Sequence, residues 1–124
     1  IWYHNYIYNT VLLTLLLSLV IPLLGWLKTG FSLALAGFVL APLNAGFATG
    51  LIYHSVTIGL ELVAYNAACF FVLVFWLRLF LAVADGEPRQ LVQAVRILSG
   101  GTVLIGAQLL VAAFYETVTL MLFR

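Results

Sequence analysis

Residues 59–83 read GLELVAYNAACFFVLVFWLRLFLAV. A bilayer core is crossed by roughly 20 mostly apolar residues in a helix. This run has that length and carries one acid, Glu61, and one base, Arg78. Its polar groups, Glu61 and Asn66, collect in the first half. The second half is bulk: Phe70, Phe71, Phe75, Trp76 and Phe80. Arg78 lies close enough to the far end to extend its charged head to the headgroups. The run therefore predicts a membrane-spanning helix and decides the fold class.

The rest of the chain agrees. Of 124 residues, 65% are hydrophobic and 7% charged. The mean hydropathy is +1.20. A soluble domain carries roughly 25% charged residues. We expect an all-α polytopic helix bundle with about four spans, near 7–27, 31–52, 57–83 and 102–123, plus a short amphipathic helix over 91–98. One transmembrane domain covers 1–124, and the start at Ile1 reads as part of a longer chain.

Before the first span, Trp2, Tyr3, Tyr6 and Tyr8 form an aromatic group suited to the headgroup level. Pro22 falls near the end of that span, and Lys28-Thr29-Gly30 reads as the first loop. The second span carries Gly37, Ala41 and Ala45 at four-residue spacing, with Gly46 and Gly50 on a neighbouring register. Small residues at such spacing let helices pack closely in lipid. Pro42 predicts a kink or break between Ala41 and Gly46. The mixed stretch 50–59 is either an interfacial turn or the start of the third span. Residues 84–90, ADGEPRQ, form an aqueous loop, and Ser99-Gly100-Gly101 separates the amphipathic helix from the last span. With Lys28, Arg78, Arg89 and Arg96 beside two loops on one side, that side is cytoplasmic by the positive-inside rule. The expected location is a prokaryotic cell membrane, in multi-pass form.

Intramembrane acids point to function, because each costs free energy to keep in lipid. Glu61 and Glu116 lie at similar depth, on helix faces rich in small residues. They are expected in one interior polar cluster with Gln108, Asn66 and His54. Such acids lock helices together by hydrogen bonds, line an ion, proton or substrate path, or meet a partner subunit's basic residue. His54 reads as an interfacial histidine, with a pigment or haem ligand as the alternative. No other cofactor and no metal is expected, since metal-ligand spacing is absent. The net charge of +1 and the lack of a basic patch interleaved with aromatics exclude nucleic acid as a partner. The single Cys69 excludes an internal disulfide and reads as a small buried hydrophobe. No nucleophile elbow, HExxH or phosphate-binding glycine loop is present, so no enzyme is expected. Membrane lipids, other membrane subunits or further copies of the chain are the expected partners.

Several segments, in order, resemble the stage II sporulation protein M family of integral membrane proteins. These are Asn9 opening an apolar span with Gly25 near its end, and Thr29-Gly30-Phe31 followed by Gly37. Glu61-Leu62-Val63-Ala64-Tyr65 is similar to the family's glutamate-x-x-alanine signature. Ala112-Ala113-Phe114-Tyr115-Glu116 resembles its closing segment. The resemblance implies a non-enzymatic membrane scaffold or complex component. In spore formers that family works with peptidoglycan-degrading partners during engulfment. Two other readings stand beside it. One is an accessory subunit of an energy-converting or pigment-binding complex. The other is an oligomeric transporter component using its intramembrane acids.

Overall fold

A computed structural model describes residues 2–39 and 45–122. The described residues form four helices: α1 over His4–Val20, α2 over Leu24–Val39, α3 over Ala45–Asp85 and α4 over Pro88–Leu122. α3 and α4 are long and apolar enough to cross a membrane. The predicted kink at Pro42 and the packing residue Ala41 lie outside the described residues, as do the side chains of Ala45, Gly46 and Gly50.

α1 is unusual in its turn. His4–Leu16 is π-helical, and only Leu17–Val20 is α-helical. A π-turn closes i→i+5 hydrogen bonds and is wider than an α-turn. Two threonine hydroxyls follow the same register. Thr10 Oγ1 donates to the Asn5 carbonyl at 2.7 Å, and Thr14 Oγ1 donates to the Asn9 carbonyl at 2.7 Å. With more than four residues per turn, Asn5, Asn9, Thr10, Thr14 and Ser18 fall on one face. Thr10, Thr14 and Ser18 are fully buried there.

The first expected span does not run unbroken from 7 to 27. α1 stops at Ile21, which is extended at φ −134°, ψ 113°. The residue before a proline is pushed out of the helical region, and Pro22 has no N–H to continue the ladder. Lys28-Thr29-Gly30, expected as a loop, is therefore helical and lies inside α2. Thr29 Oγ1 donates to the Gly25 carbonyl at 2.8 Å.

The second break expected from sequence is also absent. Ser99-Gly100-Gly101 lies within α4, fused to the stretch expected as a separate amphipathic helix. Ser99 and Thr102 hydroxyls bond back to the Val95 and Leu98 carbonyls, each at 2.8 Å. The aqueous loop shrinks to Gly86 and Glu87. Gly86 has φ 67°, a left-handed value that ends a helix at little cost only for glycine. Pro88 then opens α4, where its missing N–H is harmless. The mixed stretch 50–59 continues α3 without a turn.

α3 and α4 pair antiparallel. Arg78 Nη1 on α3 donates to Gln90 Oε1 at 2.8 Å and Gln93 Oε1 at 3.0 Å on α4. Farther along, Gln108 Nε2 donates to the Leu60 carbonyl at 3.1 Å. α1 lies along this hairpin. Trp2 Nε1 donates to the Gly106 carbonyl and Tyr6 Oη to the Thr102 carbonyl, both at 3.0 Å. Trp76 Nε1 reaches the Ser18 carbonyl at 3.3 Å. So Trp2 and Tyr6 are bound into the bundle, while Tyr3 and Tyr8 stay exposed.

The core joins Leu15, Ala64, Ala68, Val72, Ile105 and Leu109. Small residues on α3 let the helices approach. Among the described residues, the closest approaches at glycines fall outside the expected packing stripe. A methyl group on Gly101 would sit 2.5 Å from the Phe71 ring, and one on Gly106 would sit 2.7 Å from Tyr6 Cζ. One on Gly25 would collide with Ser18 Oγ and lie 3.0 Å from Cys69 Sγ. By contrast, a methyl group on Gly37 meets nothing within 4 Å among the described residues. The expected helix contact at Gly37 is not made within them.

Candidate functional site

Glu61 and Tyr65 are four residues apart on α3 and share a face. Lys28, Thr29 and Ser32 present the facing side of α2, because the turn at Pro22 sends α2 back beside α3. His4, Asn5 and Asn9 come from the π-helical part of α1. Together these side chains line a partly open cavity of about 250 Å³ among α1, α2 and α3.

The charges inside it are held by neutral groups. Asn5 Nδ2 donates to Glu61 Oε1. The Lys28 ammonium stands 4.8 Å from the centroid of the Tyr65 ring, where the ring's negative face attracts it. Lys28 and Glu61 also attract each other electrostatically. An acid and a base are thus fixed in one cavity, each against an uncharged neighbour. Beneath them Cys69 is buried against Ser18 and Thr29.

The expected cluster is present only in part. Gln108 bonds to α3 at Leu60, next to Glu61. Glu116 is half-buried and repels Glu61 electrostatically, but it does not line the cavity. Asn66 is exposed and bonds back to the Leu62 carbonyl of its own helix at 2.9 Å, so it points away. His54 is half-buried, about two turns from Glu61, and does not line the cavity either.

His4, Asn5, Asn9, Lys28, Thr29, Ser32 and Tyr65 line the cavity but are not among the site residues expected from sequence. A signal for α1 existed. Asn5, Asn9, Thr10, Thr14 and Ser18 recur at intervals of four and five in an apolar run, a period too long for an α-helical face and suited to a π-turn. In the sequence Lys28 reads as a loop charge. The structure puts it at the level of Tyr65, about 20 Å along α3 from Arg78 by helical rise. Lys28 and the hairpin arginines are therefore at different levels of the bundle, not beside two loops on one side. Compared with known proteins, the chain matches no family model, no curated protein and no solved structure.

Proposed function

We propose that this protein is a multi-pass integral membrane protein that serves as a non-enzymatic scaffold or component of a membrane complex, as the resemblance to the stage II sporulation protein M family implies. The observation that carries the membrane part is an inside-out distribution of bulk. Half of the buried apolar side chains are small: Ala64, Ala68, Cys69, Ala94 and Ala112. Many of the largest apolar side chains are outside: Phe31, Phe38, Phe70, Phe80, Phe114 and Met121 are 57–80% exposed, on all of α2, α3 and α4. Moving one such side chain out of water gains roughly 1.5–3 kcal/mol. The six together forfeit roughly 9–18 kcal/mol in water, as much as the 5–15 kcal/mol that holds a typical domain together. Lipid removes that deficit.

The hairpin end holds Arg78, Arg89 and Arg96, and we place it in the cytoplasm by the positive-inside rule. Two measurements test the arrangement. The protein is expected to stay in the pellet after alkaline carbonate extraction of membranes. A single cysteine at position 87, in a Cys69→Ala background, is expected to label only after the cells are permeabilised. Release by carbonate, or labelling in intact cells, overturns the membrane reading or the orientation respectively.

One observation favours a second reading as a transport component: Glu61 and Lys28 share a polar cavity between apolar helices. That reading requires ion or proton flux in proteoliposomes above protein-free controls, abolished by Glu61→Gln. The scaffold reading requires none.

A further inference from the structure

We propose that the cavity among α1, α2 and α3 binds a zwitterion made of a primary ammonium and a phosphate joined by a short linker, the chemistry of an ethanolamine phosphate headgroup. Glu61 takes the ammonium and Lys28 takes the phosphate. The proposal rests on the membrane reading above.

Three observations carry it. The first is the charge arrangement. The cavity holds one fixed cation and one fixed anion, yet each rests against a neutral group, the Tyr65 ring and the Asn5 amide. A ligand with the opposite pair of charges satisfies both without adding net charge to a low-dielectric place. A ligand with only one charge leaves the other protein charge uncompensated, which is costly when partly buried. The second is size. Pockets for drug-sized ligands run roughly 300–1,000 Å³, and this one is about 250 Å³. It suits a headgroup and not a larger cofactor. The third is depth. A span of about 20 residues counted back from Arg78 ends near Ile58. Glu61 then lies about one turn inside the far boundary of the hydrocarbon. The exposed rings of Tyr3, just before α1, and Tyr8, on α1, flank Asn5, which bonds Glu61, so they lie near that level, where amphipathic aromatics are favoured. Hydroxyl and amide groups of Ser32 and Asn9 add further polar lining, able to bond phosphate oxygens or the ammonium.

The test uses the purified full chain, with phosphatidylethanolamine, phosphatidylcholine and phosphatidylglycerol of identical acyl chains, read by native mass spectrometry. Phosphatidylethanolamine is expected to be retained about tenfold more tightly than phosphatidylcholine, whose quaternary ammonium has no N–H to give Glu61, and than phosphatidylglycerol, which has no cation. Glu61→Gln and Lys28→Gln are each expected to reduce that preference to about twofold or less, with helix content unchanged by circular dichroism. Equal retention of the three lipids by the wild type overturns the proposal. So does a preference that survives both substitutions. Free phosphoethanolamine separates the two sources of the headgroup. Displacement of the lipid at millimolar concentration shows that the headgroup alone is recognised, and its failure to displace shows that the lipid itself is the ligand. A chain released by carbonate contradicts the membrane reading, whereas an integral chain without the lipid preference contradicts the cavity assignment alone.

Discussion

Gly101→Val is expected to destabilise the protein by about 2–3 kcal/mol, the upper part of the range for overpacking a filled core. Gly100→Val, one residue earlier, is expected to change stability by about 0.5 kcal/mol or less, since a surface site away from such contacts is nearly neutral. The two sites share a helix and a residue type and differ in what they face. A methyl group on Gly101 lands 2.5 Å from the Phe71 ring, while one on Gly100 meets nothing within 4 Å. α4 has little freedom to retreat. Trp2 and Tyr6 hold its carbonyls at Gly106 and Thr102, and Phe71 packs against the core formed by Ala68, Val72 and Ile105. Unfolding in detergent followed by circular dichroism reads the difference. Adding Phe71→Ala to Gly101→Val is expected to recover part of the loss, a coupling of about 1 kcal/mol or more for residues in direct contact. Equal costs at 100 and 101 sink the close-approach argument.

Glu61→Leu and Lys28→Leu are each expected to cost about 1–2 kcal/mol, and the double variant less than either. Removing one partner of a fully buried pair costs roughly 3–5 kcal/mol, because the other charge is left alone in a poor solvent. Both residues here are only half-buried, and water reaching the partly open cavity reduces that figure. Taking out both charges removes the desolvation of both. Glu61→Gln is expected to stay within about 1 kcal/mol of the wild type, since an amide oxygen still accepts from Asn5 Nδ2. Melting temperatures of the four variants decide it. A double variant as unstable as the sum of the singles means that the two charges do not compensate each other.

How much of this was legible in the sequence depends on which force decided each element. The run 59–83 sits inside α3, as expected of a long apolar stretch, which would have no alternative to a helix if it crossed lipid. The turn at Gly86 and Glu87 was legible from Asp85-Gly86-Glu87-Pro88. Ser99-Gly100-Gly101 misled, since small residues mark a loop in water but a contact face between apolar helices. Gly101 is there for Phe71. At Lys28 the charge suggested a loop, yet the lost backbone donor at Pro22 set the turn, and Tyr65 accommodates the ammonium. The cavity was hardest to see. Its α1 wall depends on a π-turn, and its α2 wall depends on reversing the chain at Pro22. Glu61 alone of its polar residues was selected as a site from sequence.

The length of the α3–α4 hairpin has a geometric consequence in a bilayer. At 1.5 Å per residue, the 41 residues of α3 reach about 60 Å and the 35 of α4 about 52 Å. Even at a tilt of about 40°, the steep end of the usual range, a hydrocarbon layer of about 30 Å uses about 39 Å of helix, or roughly 26 residues. About nine residues of α4 and fifteen of α3 must then stand outside it. Part of that excess falls at the hairpin tip, where α4 carries Arg89 and Arg96. Across from them on α3, Arg78 grips Gln90 and Gln93. In a bilayer the two helices would leave the lipid as a short stalk braced by Arg78, where the sequence predicts an aqueous loop over 84–90 and a separate amphipathic helix over 91–98.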